Sequence, residues 1–272
     1  METQNSRINT QIIKKHQEYF DLAHSFLKCA DDLQDKCVRM EITREHLGKE
    51  GFILFFLFAK SCKTTIAALN LCETGYPEDA LILSRVNFEA ALKVLYILKD
   101  KENAKEKAEA YFKYDVIYRV KKLKQLLNMY EHENEYKAKF QETFEELRRQ
   151  LPSTDDERER ICKLAGKNRF ELAKENDLLH LLYRTFYWDA SDYTHNSLRI
   201  ADSYVTDADN GHVDFFIMET EKGIRNVIIH LCLFLWYLMD RCNFLFGLGA
   251  EKTLKEKWVE LESIFKKTSP LC

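Results

Sequence analysis

The chain has 272 residues, 46% hydrophobic and 31% charged, with a net charge of −3. That balance supplies a core and a solvated surface, and it lacks the basic excess usual in proteins that live on duplex DNA or anionic lipid. Eight Gly and three Pro are too few to punctuate a sheet-rich chain, so the expected fold is all-α, a single-domain array of about eight or nine helices.

Helical periodicity covers residues 4–38 and 43–73, with Gly48 and Gly51 weakening the start of the second segment. Thr74-Gly75-Tyr76-Pro77 is the clearest break. Gly75 suits a helix end, and Pro77 with Glu78-Asp79 suits a new first turn. Helices are predicted from there to about Lys99 and from Glu102 to Tyr130. A charged helix over 132–150 stops at Leu151-Pro152, and Thr154-Asp-Asp-Glu157 resembles a capping box for a helix to Ala165. Residues 131–175 are charged enough to be a helical insertion.

Asn176-Asp177 opens a helix predicted to reach Ile200, Asp202–Asp214 is polar and irregular, and a very apolar helix spans Phe215 to Phe246. An amphipathic helix over Glu251–Lys267 closes the pattern. A membrane span needs roughly 20 apolar residues. Phe52–Ala59 is too short for one, and Val227–Met239 contains His230 and runs into Asp240-Arg241, so a buried central helix is expected. Met1–Asn5 is polar with no signal core. The eight cysteines show no Cys-x-x-Cys pair and sit mainly in apolar helical stretches, the pattern of reduced thiols in a cytoplasmic protein without a membrane segment.

Arg85 and Glu89, four apart, share a helical face, and their surroundings, Leu81, Leu83, Phe88, Leu92 and Tyr96, are apolar nearly all round the helix. A charged pair so placed is either a polar pin between helices or part of a ligand or catalytic network. His180, Arg184, Ser191 and His195, with Tyr187 close by, fall on one side of the 177–200 helix. That stripe is a solvent face or an acid–base site for a phosphate. Arg119, Lys121, Lys122 and Lys124 follow Tyr111, Tyr114 and Tyr118, either a solvated face or a weak RNA-binding run. Asp207-Ala-Asp209-Asn210-Gly211 lacks the register and final Glu of a calcium loop. Walker, dinucleotide, nucleophile-elbow and His-Glu-x-x-His motifs are absent, so no cofactor and no metal are expected.

Arg225-Asn226-Val-Ile-Ile-His230 resembles the motif of the HEPN superfamily of helical ribonucleases and toxins: Arg, a polar residue, three more residues, then His. The resemblance implies metal-independent RNA cleavage by a toxin or antiviral-defence effector. His230 would act as acid or base, Arg225 as phosphate clamp, and Asn226 would orient the ring. It also implies RNA as partner, a homodimer that unites two motifs, and a possible protein regulator. Over about residues 60–205, Ala80-x-x-Leu83-x-Arg85-x-x-x-Glu89 and Ser191-x-x-x-His195 are similar to an uncharacterised bacterial helical family. This likeness implies that Arg85, Glu89 and His195 belong together. The alternative to the nuclease is therefore a non-catalytic helical module that binds a ligand or protein through that network.

Overall fold

The computed structural model describes residues 9–130, 134–207, 212–215 and 218–268. The polar Met1–Asn5 stretch, most of the rejected calcium loop and Cys272 lie outside the described residues. The chain is all-α apart from one small ribbon. Its helices are α1 (Thr10–Lys15), α2 (Gln17–Arg39), α3 (Arg44–Glu73), α4 (Pro77–Ile97), α5 (Lys101–Met129) and α6 (Asn134–Arg148). They continue with α7 (Asp155–Ala165), α8 (Arg169–Ala173), α9 (Asp177–Leu182), α10 (Trp188–Thr194), α11 (Ile224–Phe246) and α12 (Glu251–Thr268). A π-helical turn, Tyr183–Tyr187, joins α9 to α10, and a 3₁₀ turn spans Leu198–Ser203. The ribbon pairs β1 (Val205–Asp207) with β2 (Val213–Phe215), antiparallel, Val205 opposite Phe215.

The local chemistry explains most of these boundaries. Pro77 opens α4 with Glu78 and Asp79 in the first turn, where acidic groups complement the helix dipole. Thr154 caps α7 by accepting from the Glu157 amide at 3.2 Å, while the Glu157 carboxylate reaches back to the Ser153 amide at 3.2 Å. Gly48 takes a left-handed φ of 59° and kinks the start of α3. Gly75 holds a φ of 85°, and a Cβ there would stand 2.6 Å from Glu219 Cβ, so only glycine lets the α3–α4 turn meet the loop before α11.

There are more helical segments than the periodicity predicts because α1 and α2 break at His16, α8 is short, and the 177–200 segment is interrupted by its π turn. The apolar helix begins at Ile224, behind a left-handed Gly223, rather than at Phe215.

The core is built by α2, α3, α4 and α11, with Phe20, Phe26, Leu54, Phe88, Leu92, Phe234 and Leu238 almost fully enclosed. Buried Asn87 on α4 donates to Thr65 Oγ1 at 2.9 Å and to the Ser61 carbonyl at 3.3 Å on α3. These two donated bonds fix one rotation of α4 against α3, while Asn87 Oδ1 itself is buried without a partner among the described residues. That rotation sends the Arg85–Glu89 face away from α3 and toward α8 and the π turn. The charged helices α6 and α7 rest on α5. By length and composition, α3 and α11 could each cross a membrane; most of the apolar stretch of α11 is buried within the fold, whereas α3 exposes Phe52, Phe56 and Ile66.

Candidate functional site

Arg85, Glu89 and Lys93 form a column along α4 at steps of four. The Arg85 and Glu89 side chains are 16% and 21% exposed, and Arg85 Nε lies 3.4 Å from Glu89 Oε1. Tyr187 closes the pair. Its hydroxyl accepts from Arg85 Nη2 at 2.9 Å and donates to Glu89 Oε1 at 3.2 Å. The Arg85 guanidinium also sits 4.6 Å from the Tyr187 ring centre. Arg169, the first residue of α8, donates to Glu89 Oε2 at 3.3 Å. Arg85 Nη1 is buried without a hydrogen-bond partner among the described residues. Burial, then the Glu89 charge, raises the Tyr187 hydroxyl above its ordinary pKa.

The π turn makes this arrangement possible. A regular α-helix from Asp177 to Ile200 would keep His180, Arg184, Ser191 and His195 in one stripe. The wider turn at 183–187 shifts the phase, a change common at functional sites. Tyr187 is thereby buried against α4, and Phe186 packs against Phe88 and Phe234. The predicted stripe is consequently divided. His180 and the exposed Arg184 border a shallow cavity of about 780 Å³ with Tyr183, Tyr187 and Trp188. The Ser191 hydroxyl donates to the Tyr187 carbonyl at 2.6 Å. His195 caps α10 with its side chain exposed and makes no side-chain hydrogen bond or ion pair among the described residues, so Tyr187 and Arg169 occupy the role expected of it.

Beyond Glu89, a second cavity of about 410 Å³ opens between α4, α5 and the α7–α8 junction. Glu89, Lys93, Tyr111, Tyr114, Tyr118 and Arg169 are among its lining residues. Lys93 is half-buried, and its ammonium has no hydrogen bond or ion pair among the described residues. Burial pushes its pKa down, Glu89 pulls it back, and Arg169 and Lys60 add to the lowering. The neighbouring Lys167 is committed elsewhere: it pairs with Glu175 at 3.0 Å and lies 4.4 Å from the Tyr96 ring centre. Glu175 also binds Lys99 at 2.8 Å; Lys99 and Lys167 together hold its carboxyl down at about 2. Tyr111 is raised by burial, with Tyr96 and Tyr114 adding to it, and its hydroxyl likewise has no partner among the described residues. Arg119 pairs with Asp115 at 3.9 Å, while Lys121, Lys122 and Lys124 continue along the exposed face of α5.

The Arg225–His230 motif is arranged differently. Five residues along an α-helix turn the chain by roughly 140° beyond one full turn. Asn226 and His230, four apart, both line a cavity of about 780 Å³, whereas Arg225 is not among its lining residues and its charge acts on the Tyr19 hydroxyl of α2. The imidazole is half-buried 4.5 Å from Phe186, with Nδ1 enclosed and lacking a well-formed hydrogen bond. Burial pushes His230 down to about 4, with the Asn226 backbone partly opposing, so the ring is neutral near pH 7. Four carboxylates, Glu78, Asp189, Asp192 and Asp202, border this cavity against two cations, Arg199 and Lys222. Among the described residues no His, Cys, Asp and Glu group could hold a metal.

Fold and site together define an all-helical protein with a shielded ion-pair network beside a cavity lined by an ammonium that forms no ion pair among the described residues. Residues 51–212, more than half the chain, match a family of unknown function, DUF5677, and the chain belongs to that family. The matched stretch contains Arg85, Glu89, Lys93, Tyr111, Arg169 and Tyr187 and ends before Arg225. No curated protein and no solved structure matches the chain. The sequence reading missed Lys93 and Arg169. The step of four from Arg85 through Glu89 was a signal for Lys93, but nothing local marks Arg169, which reaches Glu89 only through the tertiary fold.

Proposed function

We propose that the chain is a non-catalytic helical module that binds a small anionic ligand in the cavity between α4, α5 and the α7–α8 junction. The observation that carries this reading is the Lys93 ammonium: half-buried, lining a cavity and without a counterion among the described residues. Leaving a charge partly desolvated and unpaired costs stability, and a bound anion would offset that cost. Arg169 borders the same cavity and is positioned through Glu89 by Arg85 and Tyr187. The described cysteines are unpaired and mostly buried, which supports a cytoplasmic setting for the module.

Inorganic phosphate and pyrophosphate, titrated at constant ionic strength, should raise the melting temperature of the wild type and not that of Lys93→Met. Equal shifts in the two proteins would remove the reading.

A second reading, metal-independent RNA cleavage as a homodimer, draws support from Asn226 and a neutral His230 sharing one cavity. It requires a phosphate clamp at that cavity from Arg225 of a second chain, against the four bordering carboxylates. Total RNA incubated in EDTA tests it. Cleavage by the wild type that is lost in His230→Ala would favour this reading, and equal outcomes in the two would dismiss it.

A further inference from the structure

Resting on that anion-binding reading, we infer that the ligand also carries a flat ring, and that its chemical class is a nucleoside monophosphate. Tyr111, Tyr114 and Tyr118 follow at steps of three and four, so they stand in one row along α5. All three line the cavity that holds Lys93. Gly166 also lines the cavity; a Cβ there would collide with the Cys162 carbonyl oxygen and meet Tyr114 Cε2 at 3.3 Å, so a side chain at this position would crowd both the α7 backbone and the Tyr114 ring. Tyr118 is 59% exposed, a large aromatic left open to solvent at the edge of the cavity.

Aromatic faces in a row offer a base a stacking surface, and the adjoining cations offer its phosphate a counter-charge. The free Tyr111 hydroxyl is a donor and acceptor within reach of a ribose or base edge. A volume of about 410 Å³ falls within the range of small-ligand pockets and is too small for a folded partner. Lys93 and Arg169 thus set the phosphate end, and the tyrosine row sets the ring end.

The test is a calorimetric titration of the full chain with AMP, UMP, ribose 5-phosphate and inorganic phosphate. Base stacking on an aromatic side chain predicts that AMP binds roughly 10- to 100-fold more tightly than ribose 5-phosphate. Tyr118→Ala should abolish that difference while leaving the ribose 5-phosphate affinity in place, and its exposed position spares the fold. Lys93→Met should weaken all four ligands.

If ribose 5-phosphate binds as tightly as AMP, the ring inference fails and the anion reading stands. If none of the four binds, the anion reading fails with it. A 5′-phosphorylated RNA oligomer that binds more tightly than AMP would overturn the mononucleotide assignment in favour of an RNA end.

Discussion

Removing the Glu89 carboxylate would test whether the network around Arg85 is structural support rather than surface decoration. Glu89 accepts from Tyr187 at 3.2 Å and Arg169 at 3.3 Å, and it faces Arg85 at 3.4 Å. Taking it away leaves Arg85, 16% exposed and already with one buried unsatisfied nitrogen, with the Tyr187 hydroxyl as its remaining side-chain hydrogen bond. Breaking a fully buried pair costs about 3–5 kcal/mol and an exposed one below about 1 kcal/mol. Partial exposure and the long contacts place Glu89→Ala between them, at about 2–3 kcal/mol. For a chain of this size that corresponds to a drop of roughly 5–10 °C in melting temperature. Glu89→Gln keeps an acceptor for Tyr187 and should lose about half as much. Arg85→Met in the Glu89→Gln background should recover part of the loss, because the stranded guanidinium is gone. Thermal melts followed by circular dichroism provide the readout. If both Glu89 variants melt within about 1 °C of the wild type, less than the smallest change expected for 1 kcal/mol, the network contributes nothing and the argument fails.

Three further outcomes follow from the same geometry. Lys93→Met should stabilise the ligand-free chain by about 1 kcal/mol, since it removes a half-buried ammonium without a counterion; a lowered urea midpoint would contradict that. Gly75→Ala combines a left-handed φ with a Cβ contact of 2.6 Å to Glu219. It should cost about 1–3 kcal/mol by urea denaturation, and a neutral effect would show that the α3–α4 turn can shift freely. His230 is held at about 4, below the 6.5 of a free imidazole. Above pH 6.5 neither state is charged, and between pH 6.5 and 4 the unfolded chain binds the proton first, so stability falls as pH falls. The loss reaches up to about 3 kcal/mol by pH 4, and His230→Gln should flatten that slope; parallel curves for the two proteins would refute it.

The long helices were legible because their signals are local: Pro77 with Glu78-Asp79, Thr154 with Glu157, and apolar runs of period 3.6. The interruption at Tyr183–Tyr187 was not, because no proline or glycine marks it. That single π turn also accounts for the misplaced stripe, since a regular helix and a widened one assign His195 and Tyr187 to different faces. Arg85 and Glu89 were recognisable as a charged pair in apolar surroundings, which is an anomaly visible in the sequence. Their closing partners were invisible in it, because Tyr187 and Arg169 come from 98 and 80 residues away.

The aromatic core separates the two polar cavities, and this bears on what each can hold. Phe88 touches Phe186, Tyr187 and Phe234; Tyr187 then faces the Arg85–Glu89 pair, while Phe186 faces His230. The His230 side is bordered by four carboxylates and two cations, the Lys93 side by two carboxylates, Glu89 and Asp115, and three cations, Lys93, Lys167 and Arg169. Glu89 and Asp115 are already paired with Arg169 and Arg119. Field lines converge in concave, poorly solvated sites, so the sign of the lining matters more there than the near-neutral charge of the whole chain. A phosphate entering the first cavity meets an excess of carboxylates; entering the second, it meets an ammonium that forms no ion pair among the described residues. On this ground the Arg225–His230 region is the less suitable of the two places for an anion within one chain, although its residues resemble the motif of a ribonuclease superfamily.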